Sequence, residues 1–449
     1  MTQKIDMLHG SIWDKLILFA LPLAVTSIFE QFFNAADVAI LGRAVSKNAM
    51  AAVGSTNSAV SLLVTWFIGL SLGANVVVAG HLGAGREERA GQAVHTALLL
   101  SFGIGILMTV LGEFFMVQFL ESLSVPAEVL PISEQYLRTY LIGLPFISLY
   151  NFEAAVFRSR GDTRTPLLSL MTASLLNVVF NLIAVHVLHL GIIGVAGATV
   201  LAGIINAAVL LLVLFRSRDC LRFRIRRLRI SRRELRDILQ IGTPAALQGS
   251  VFCISNVVIQ SAINSLGADV MAASAAAFTI EINLYCFINA FGQAATTFIS
   301  QNFNARNLRR CRDIVKVSML LDCLVTIVLT AVIFWKAADL LQFFNADPSV
   351  VSLGTTRIYY VLAAQIFDTV IEVLSGVMRG YGQSLPPALT AMVGICGVRL
   401  GWIYTVFPRW HTFAGLLVAY PASWVVTAAG LCVLYGRFSR KFAERLPEA

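Results

Sequence analysis

Long apolar runs separated by short polar turns fill this chain from end to end. Twelve runs approach or exceed the roughly 20 residues that carry a helix across a bilayer, at approximately 15–41, 50–81, 92–120, 134–158, 165–188, 192–215, 237–263, 270–301, 314–338, 350–377, 386–408 and 413–436. Unpaired backbone groups are not tolerated in lipid, so every run is predicted to be helical. The expected fold class is an all-α membrane protein. The segment from Met1 to Trp13 is polar, and no small-residue cleavage site follows the first apolar stretch. The first run therefore reads as a retained helix, not a signal peptide.

The pattern is written twice. Pro22, Asn34, Met50, Gly73 and Arg86 recur as Pro244, Asn256, Met271, Gly292 and Arg306. Arg138, Glu153 and the pair Arg160–Gly161 recur as Arg357, Glu372 and Arg379–Gly380. The offset stays between 219 and 222 residues, far beyond any solenoid period, so a whole bundle is duplicated. Six spans per copy is an even number, so both copies enter the membrane in the same direction. Two six-helix lobes related by a pseudo-two-fold axis along the membrane normal are expected, the plan of parallel transporter repeats. The predicted division is residues 1–215 for the N-terminal lobe, 216–236 for a basic linker, and 237–449 for the C-terminal lobe with a short tail. In this register Glu153 and Glu372 are kept in both copies. Asp37 falls opposite Ile259, and Asp368 opposite Leu149, so ion coupling is expected where the copies disagree.

Composition supports the membrane reading. Hydrophobic residues make up 57% and charged residues 13%, where a soluble chain carries about 25% charged residues; mean hydropathy is +0.77. The net charge of +9 does not point to nucleic acid, because of where it sits. Twenty-seven of the 34 Lys and Arg residues lie in the terminal tails, in loops after even-numbered spans or at the span ends that border them. The positive-inside rule then predicts both termini in the cytoplasm. The ten arginines from Arg216 to Arg236 read as a solvated linker that fixes topology, a role compatible with binding anionic lipid headgroups. The seven cysteines are scattered without a CxxC pair and read as packing thiols. No Walker A loop, zinc-ligand spacing or serine-hydrolase elbow is present, so the chain reads as no enzyme, with no cofactor.

A charge at the bilayer centre costs roughly 2.5–3.5 kcal/mol on insertion scales, so each intramembrane acid needs a reason. Asp37 lies three residues after Asn34, on one helix face. Asn177 and Asn181, four apart, share a face of span 5. Together these four could line an oxygen-rich pocket for H+ or Na+. Asp368 and Glu372 stack on one face of span 10, where like charges resist joint ionisation. Glu281 follows Phe278 and precedes Tyr285, each about one turn away, and an acid among aromatics could hold a lipophilic cation by charge and cation–π attraction. Glu153 and Glu372 are candidates for substrate contact or for a shared scaffold role. Glu30, Glu113 and Asp322 read as structural.

Leu18-Phe-Ala-Leu-Pro22, Asn34-Ala-Ala-Asp37 and Gly42-Arg43 resemble the first span of the multidrug and toxic compound extrusion (MATE) family, in its bacterial branch. Arg158-Ser-Arg-Gly161-Asp-Thr and Met378-Arg-Gly-Tyr-Gly382 resemble the paired loops after spans 4 and 10 of that family, and the likeness runs over roughly residues 8 to 436. The resemblance implies export of lipophilic, often cationic compounds in exchange for H+ or Na+, from a bacterial cytoplasmic (inner) membrane. It matches Asp37 to a span 1 acid that is protonated in the cycle and Asn177 to a polar partner in span 5. It matches Asp368 to the span 10 acid of a branch with its cation site in the second lobe. Asn181 departs from the pattern, standing where many bacterial relatives carry an aspartate. Glu281 matches a span 8 acid, but the arginine usual two residues earlier is replaced by Thr279. The alternatives are a lipid-linked precursor flippase, for which extra spans and a cationic cavity are expected, and a dedicated exporter of one natural product. Substrate, coupling ion and the choice between monomer and dimer are not legible at this level.

Overall fold

The computed structural model describes residues 4–44, 46–122 and 125–445. Among these, sixteen α-helices and no strand are found. They are α1 (Trp13–Ala44), α2 (Lys47–Gly83), α3 (Glu87–Ser122), α4 (Leu130–Ile142), α5 (Leu144–Ser159), α6 (Arg164–His186), α7 (Gly191–Arg216) and α8 (Arg232–Asn264). The remainder are α9 (Ala268–Asn304), α10 (Leu308–Gln342), α11 (Pro348–Leu362), α12 (Gln365–Gly380), α13 (Leu385–Ala391), α14 (Val398–Thr405), α15 (Phe413–Leu417) and α16 (Ala419–Arg445). Ten stretches are long and apolar enough to cross a membrane, and two bent pairs raise the number to 12.

The bends fall within predicted runs. α4 and α5 meet at 49° and α11 and α12 at 44°. At the first, Pro145 sits in the opening turn of α5, where it has no N–H to continue the ladder. The second falls at Ala363–Ala364, with neither Pro nor Gly, and local sequence does not account for it. Between α13 and α14 the helix widens into a π-helical turn, Met392–Gly397.

The chain folds as two compact units. The first holds Val25–Ala246 and the residues up to Asp6; the second holds Met7–Ala24 and the residues from Leu247 onward. The start of α1 thus belongs to the second unit and the start of α8 to the first. In the second unit Phe19 of α1 meets Phe298 of α9 edge-on, ring centroids 5.6 Å apart. Asn302 Nδ2 donates to the Met7 carbonyl at 3.0 Å.

Small residues set the helix spacing in both units. A Cβ on Gly69 of α2 would lie 2.3 Å from the Ala246 Cα of α8, and one on Gly376 of α12 would lie 2.3 Å from the Gly292 carbonyl oxygen of α9. The first core gathers Phe152, Val156 and Phe157 of α5 with Val78, Val94 and Leu210. The second gathers Ile371, Leu374, Leu417 and Leu431.

The basic linker is docked on the first unit while all ten of its arginines are exposed. Asp219 binds Lys4 at 2.7 Å and Arg160 at 3.0 Å. His95 Nε2 accepts the Arg224 amide at 3.0 Å. At the start of α8, Glu234 meets both Arg89 and His81 at 2.7 Å.

Candidate functional site

In the first unit Asp37 of α1 faces α6 and α7. Asn177 and Asn181, one turn apart on α6, point the same way. Asn181 Nδ2 donates to Asp37 Oδ1 at 2.6 Å and to Asn177 Oδ1 at 3.0 Å. Asn177 Nδ2 donates to Thr199 Oγ1 of α7 at 3.3 Å. Thr199 Oγ1 lies 3.4 Å from Asp37 Oδ2 and 3.1 Å from the Val195 carbonyl oxygen. Both asparagines are buried and Asp37 is half-buried.

The same atoms admit a second pattern, since amide orientation follows from the hydrogen-bond network. With the Asn177 amide turned over, its Nδ2 donates to Asp37 Oδ1 at 2.9 Å and its Oδ1 accepts from Thr199 at 3.3 Å. Two NH2 groups then face each other at 3.0 Å, unless Asn181 turns as well. Asn34 takes no part: it is exposed and has no hydrogen bond among the described residues.

The second unit is built differently. Glu281 of α9 is gripped by Arg357 of α11, with Nε to Oε1 at 2.8 Å and Nη2 to Oε2 at 2.9 Å. Both residues are buried. A bidentate guanidinium occupies both carboxylate oxygens, which leaves Glu281 no free charge for a cationic ligand. Phe278 is exposed, while Tyr285 donates to Glu372 Oε1 at 3.3 Å. The other Glu372 oxygen lies 3.7 Å from Arg379. Asp368, one turn earlier on α12, accepts from Gln365 Nε2 at 3.0 Å. Glu153 of the first unit and Asp322 of α10 are sealed from solvent, with no hydrogen-bond partner on either carboxylate oxygen.

The predicted equivalence of Glu153 and Glu372 does not hold. α5 and α12 are each 16 residues long and each begins just after a bend. Matching their ends gives an offset of 221, two residues more than the 219 read from the glutamates. The left-handed glycines beyond them, Gly161 (φ 84°) and Gly382 (φ 80°), keep that offset. Glu372 then corresponds to Asn151 and Glu153 to Leu374, while Asp368 corresponds to Ile147 and not Leu149. Two residues turn a helix by about 200°, so the two glutamates face opposite ways.

Three participants escaped sequence reasoning. Thr199 carries no signal beyond its hydroxyl. Gln365 sits three residues before Asp368, a spacing that could have revealed it. Arg357 did have a signal, since it recurs from Arg138. Their surroundings differ: Arg138 pairs with Glu113 at 2.7 Å on an exposed face, whereas Arg357 is buried against Glu281. Among the described residues no three His, Cys, Asp or Glu side chains converge as metal ligands.

The sequence profile of the MatE family matches twice, over residues 22–183 and 244–405. The chain belongs to the MatE family. Each matched segment opens on one of the recurrent prolines, Pro22 or Pro244. The Bacillus subtilis protein named "Probable multidrug resistance protein YoeA" is 25% identical over 439 residues, covering 95% of this chain and 94% of the relative. The FAD transporter of Shewanella oneidensis is 24% identical over 357 residues, covering 78% of each. Among solved structures, the outward-facing conformation of a multidrug resistance MATE family transporter of the MOP superfamily is 19% identical, with a TM-score of 0.90 over 99% of this chain and 100% of that one. This MatE protein is therefore an integral membrane transporter and not an enzyme, with the two-lobe, twelve-helix fold.

Proposed function

We propose that this MatE protein is a secondary antiporter that exports lipophilic, cationic small molecules in exchange for H+ by alternating access. Its membrane is the bacterial cytoplasmic one, and both termini face the cytoplasm, as the arginine distribution supports. The observation that carries the reading is the Asp37 cluster: among the described residues its partners Asn181 and Thr199 are neutral, and so is Asn177, which bonds to both. A neutral shell lets the carboxyl gain or lose a proton without stranding an opposite charge. With Asn181 in place of a second carboxylate, little negative charge is available to replace the water around Na+, which favours H+. Coupling requires only that proton and substrate prefer different conformations.

Asp37→Asn in proteoliposomes tests this, with a fluorescent lipophilic cation and H+ and Na+ gradients imposed separately. Proton-driven efflux should fall at least tenfold at normal expression. Efflux unaltered under both gradients sinks the role of Asp37; loss of a sodium-driven flux alone transfers the role to Na+. A second reading, export of one dedicated metabolite, is supported by the kinship to the FAD transporter. A flippase for a lipid-linked precursor is the remaining alternative.

A further inference from the structure

Arg357, Arg379 and Arg399 of the second unit lie on α11, α12 and α14, and they are not equally neutralised. Arg357 is closed on Glu281, and Arg379 lies 3.7 Å from Glu372. Arg399, the remaining one, is 7% exposed and among the described residues has no carboxylate within the 4.0 Å ion-pair distance. Asp368 acts on it only at longer electrostatic range. A buried cation without a counter-ion is unfavourable unless something else satisfies it.

The surroundings of Arg399 hold it in place and leave one side open. Its Nε donates to Ser423 Oγ at 3.1 Å. Ser423 is itself aimed, because its hydroxyl donates to the Tyr420 carbonyl at 2.8 Å and so turns a lone pair to the arginine. The guanidinium carbon lies 4.5 Å from the Tyr420 ring centroid and 5.5 Å from that of Trp424, within cation–π range. Those contacts use Nε and the π face. Nη1 and Nη2 have no acceptor among the described residues, and neither is sealed from solvent. The π-helical turn Met392–Gly397 ends two residues before Arg399. Such a turn inserts an extra residue and rotates the helix on its C-terminal side, so it sets the direction in which Arg399 leaves its helix. Both this turn and α14 pack on α16, which carries Ser423 and Trp424.

We propose that Arg399 is an anion-recognition residue, receiving a carboxylate or phosphate oxygen on its two free terminal nitrogens while Ser423, Tyr420 and Trp424 fix its plane. A planar fork with two parallel N–H donors suits a two-oxygen acceptor. This rests on the export reading and narrows it: preferred substrates carry an oxyanion as well as a lipophilic, cationic body. They are amphoteric.

The test uses the full-length protein in phosphatidylcholine nanodiscs, with a zwitterionic rhodamine bearing a free carboxylate and its methyl ester. In R399Q the acid dye should bind at least tenfold more weakly while the ester changes less than twofold. R399K keeps the charge without the fork, and S423A frees Nε; both should fall between wild type and R399Q for the acid dye, and they carry the test if R399Q fails to fold. Equal losses for both dyes, or no loss for either, overturn the site. Phosphatidylglycerol added to the nanodiscs separates the sources of the oxyanion. If it displaces the acid dye from wild type but not the residual binding of R399Q, a lipid headgroup reaches Arg399 and supports the site. Transport is read separately. Arg399-dependent binding without export of either dye sinks the export reading and keeps the site. Proton-driven export of both dyes that no Arg399 variant distinguishes does the reverse.

Discussion

Among the described residues every partner of Asp37 is a neutral amide or hydroxyl, whereas the partner of Glu281 is a guanidinium gripping both carboxylate oxygens. The two units belong to one duplicated scaffold, yet they bury an acid by opposite means. A carboxylate paired with Arg cannot be protonated without leaving a buried cation alone, so that arrangement holds its charge and its geometry. A carboxyl among neutral groups can change protonation at the cost of reorienting side chains. On the proposed reading the first arrangement, at Asp37, exchanges a proton, and the second, at Glu281, keeps its charge.

The contrast can be broken by single substitutions. The largest effect is expected from Arg357→Ala, which strands Glu281 in a buried site. Removing one partner of a buried pair costs about 3–5 kcal/mol, so unfolding of the purified transporter in detergent should shift strongly. The double change Glu281→Gln with Arg357→Met should recover most of that loss. If Arg357→Ala is no worse than a surface change, the pair is not what holds that region.

Asn181→Ala removes a neutral donor at 2.6 Å from Asp37. The expected cost is about 1–3 kcal/mol, the range for leaving a buried polar group unsatisfied. Proton-driven efflux should weaken along with it. A loss as large as that from Arg357→Ala would erase the distinction between the two units.

The smallest effect is expected at Asp219, outside the spans. Burial acts to raise its pKa, but the hydrogen bond from Lys4 and the charges of Arg160 and Lys4 prevail and hold it below the usual carboxylate value. A folded-state pKa below the unfolded one gives stability that is present above about pH 4 and is lost as pH falls through the folded value. Asp219→Asn should cost less than about 1 kcal/mol at neutral pH, as for other partly exposed pairs, and its difference from wild type should vanish at strong acidity. Hydrogen exchange at residues 4–6, followed down the pH scale, reads this. A difference that persists in acid would mean that the contact is not electrostatic.

Much of the fold was legible in the sequence because spans and helix faces obey local rules. Twelve apolar runs became ten stretches and two bent pairs, and the spacing of Asn177 and Asn181 brought both to Asp37. Non-local facts were not legible. Nothing in Ala363–Ala364 announces a bend, and without the bends to anchor the register, Glu153 and Glu372 aligned two residues out of phase. Arg357 read only as a repeat of Arg138 because its partner, Glu281, lies on a different helix. Asn34 shared a predicted face with Asp37, yet the partners of Asp37 came from α6 and α7.

The start of α1 carries a consequence in time. Residues 7–24 sit in the second unit, where Phe19 meets Phe298 and the Met7 carbonyl accepts from Asn302. The ribosome completes the entire first unit before it makes α9. At about 5–20 residues per second, Leu16, Phe19, Ala20 and Leu23 spend tens of seconds without the neighbours that finally bury them. α1 is made before the rest of the first unit and finished after it.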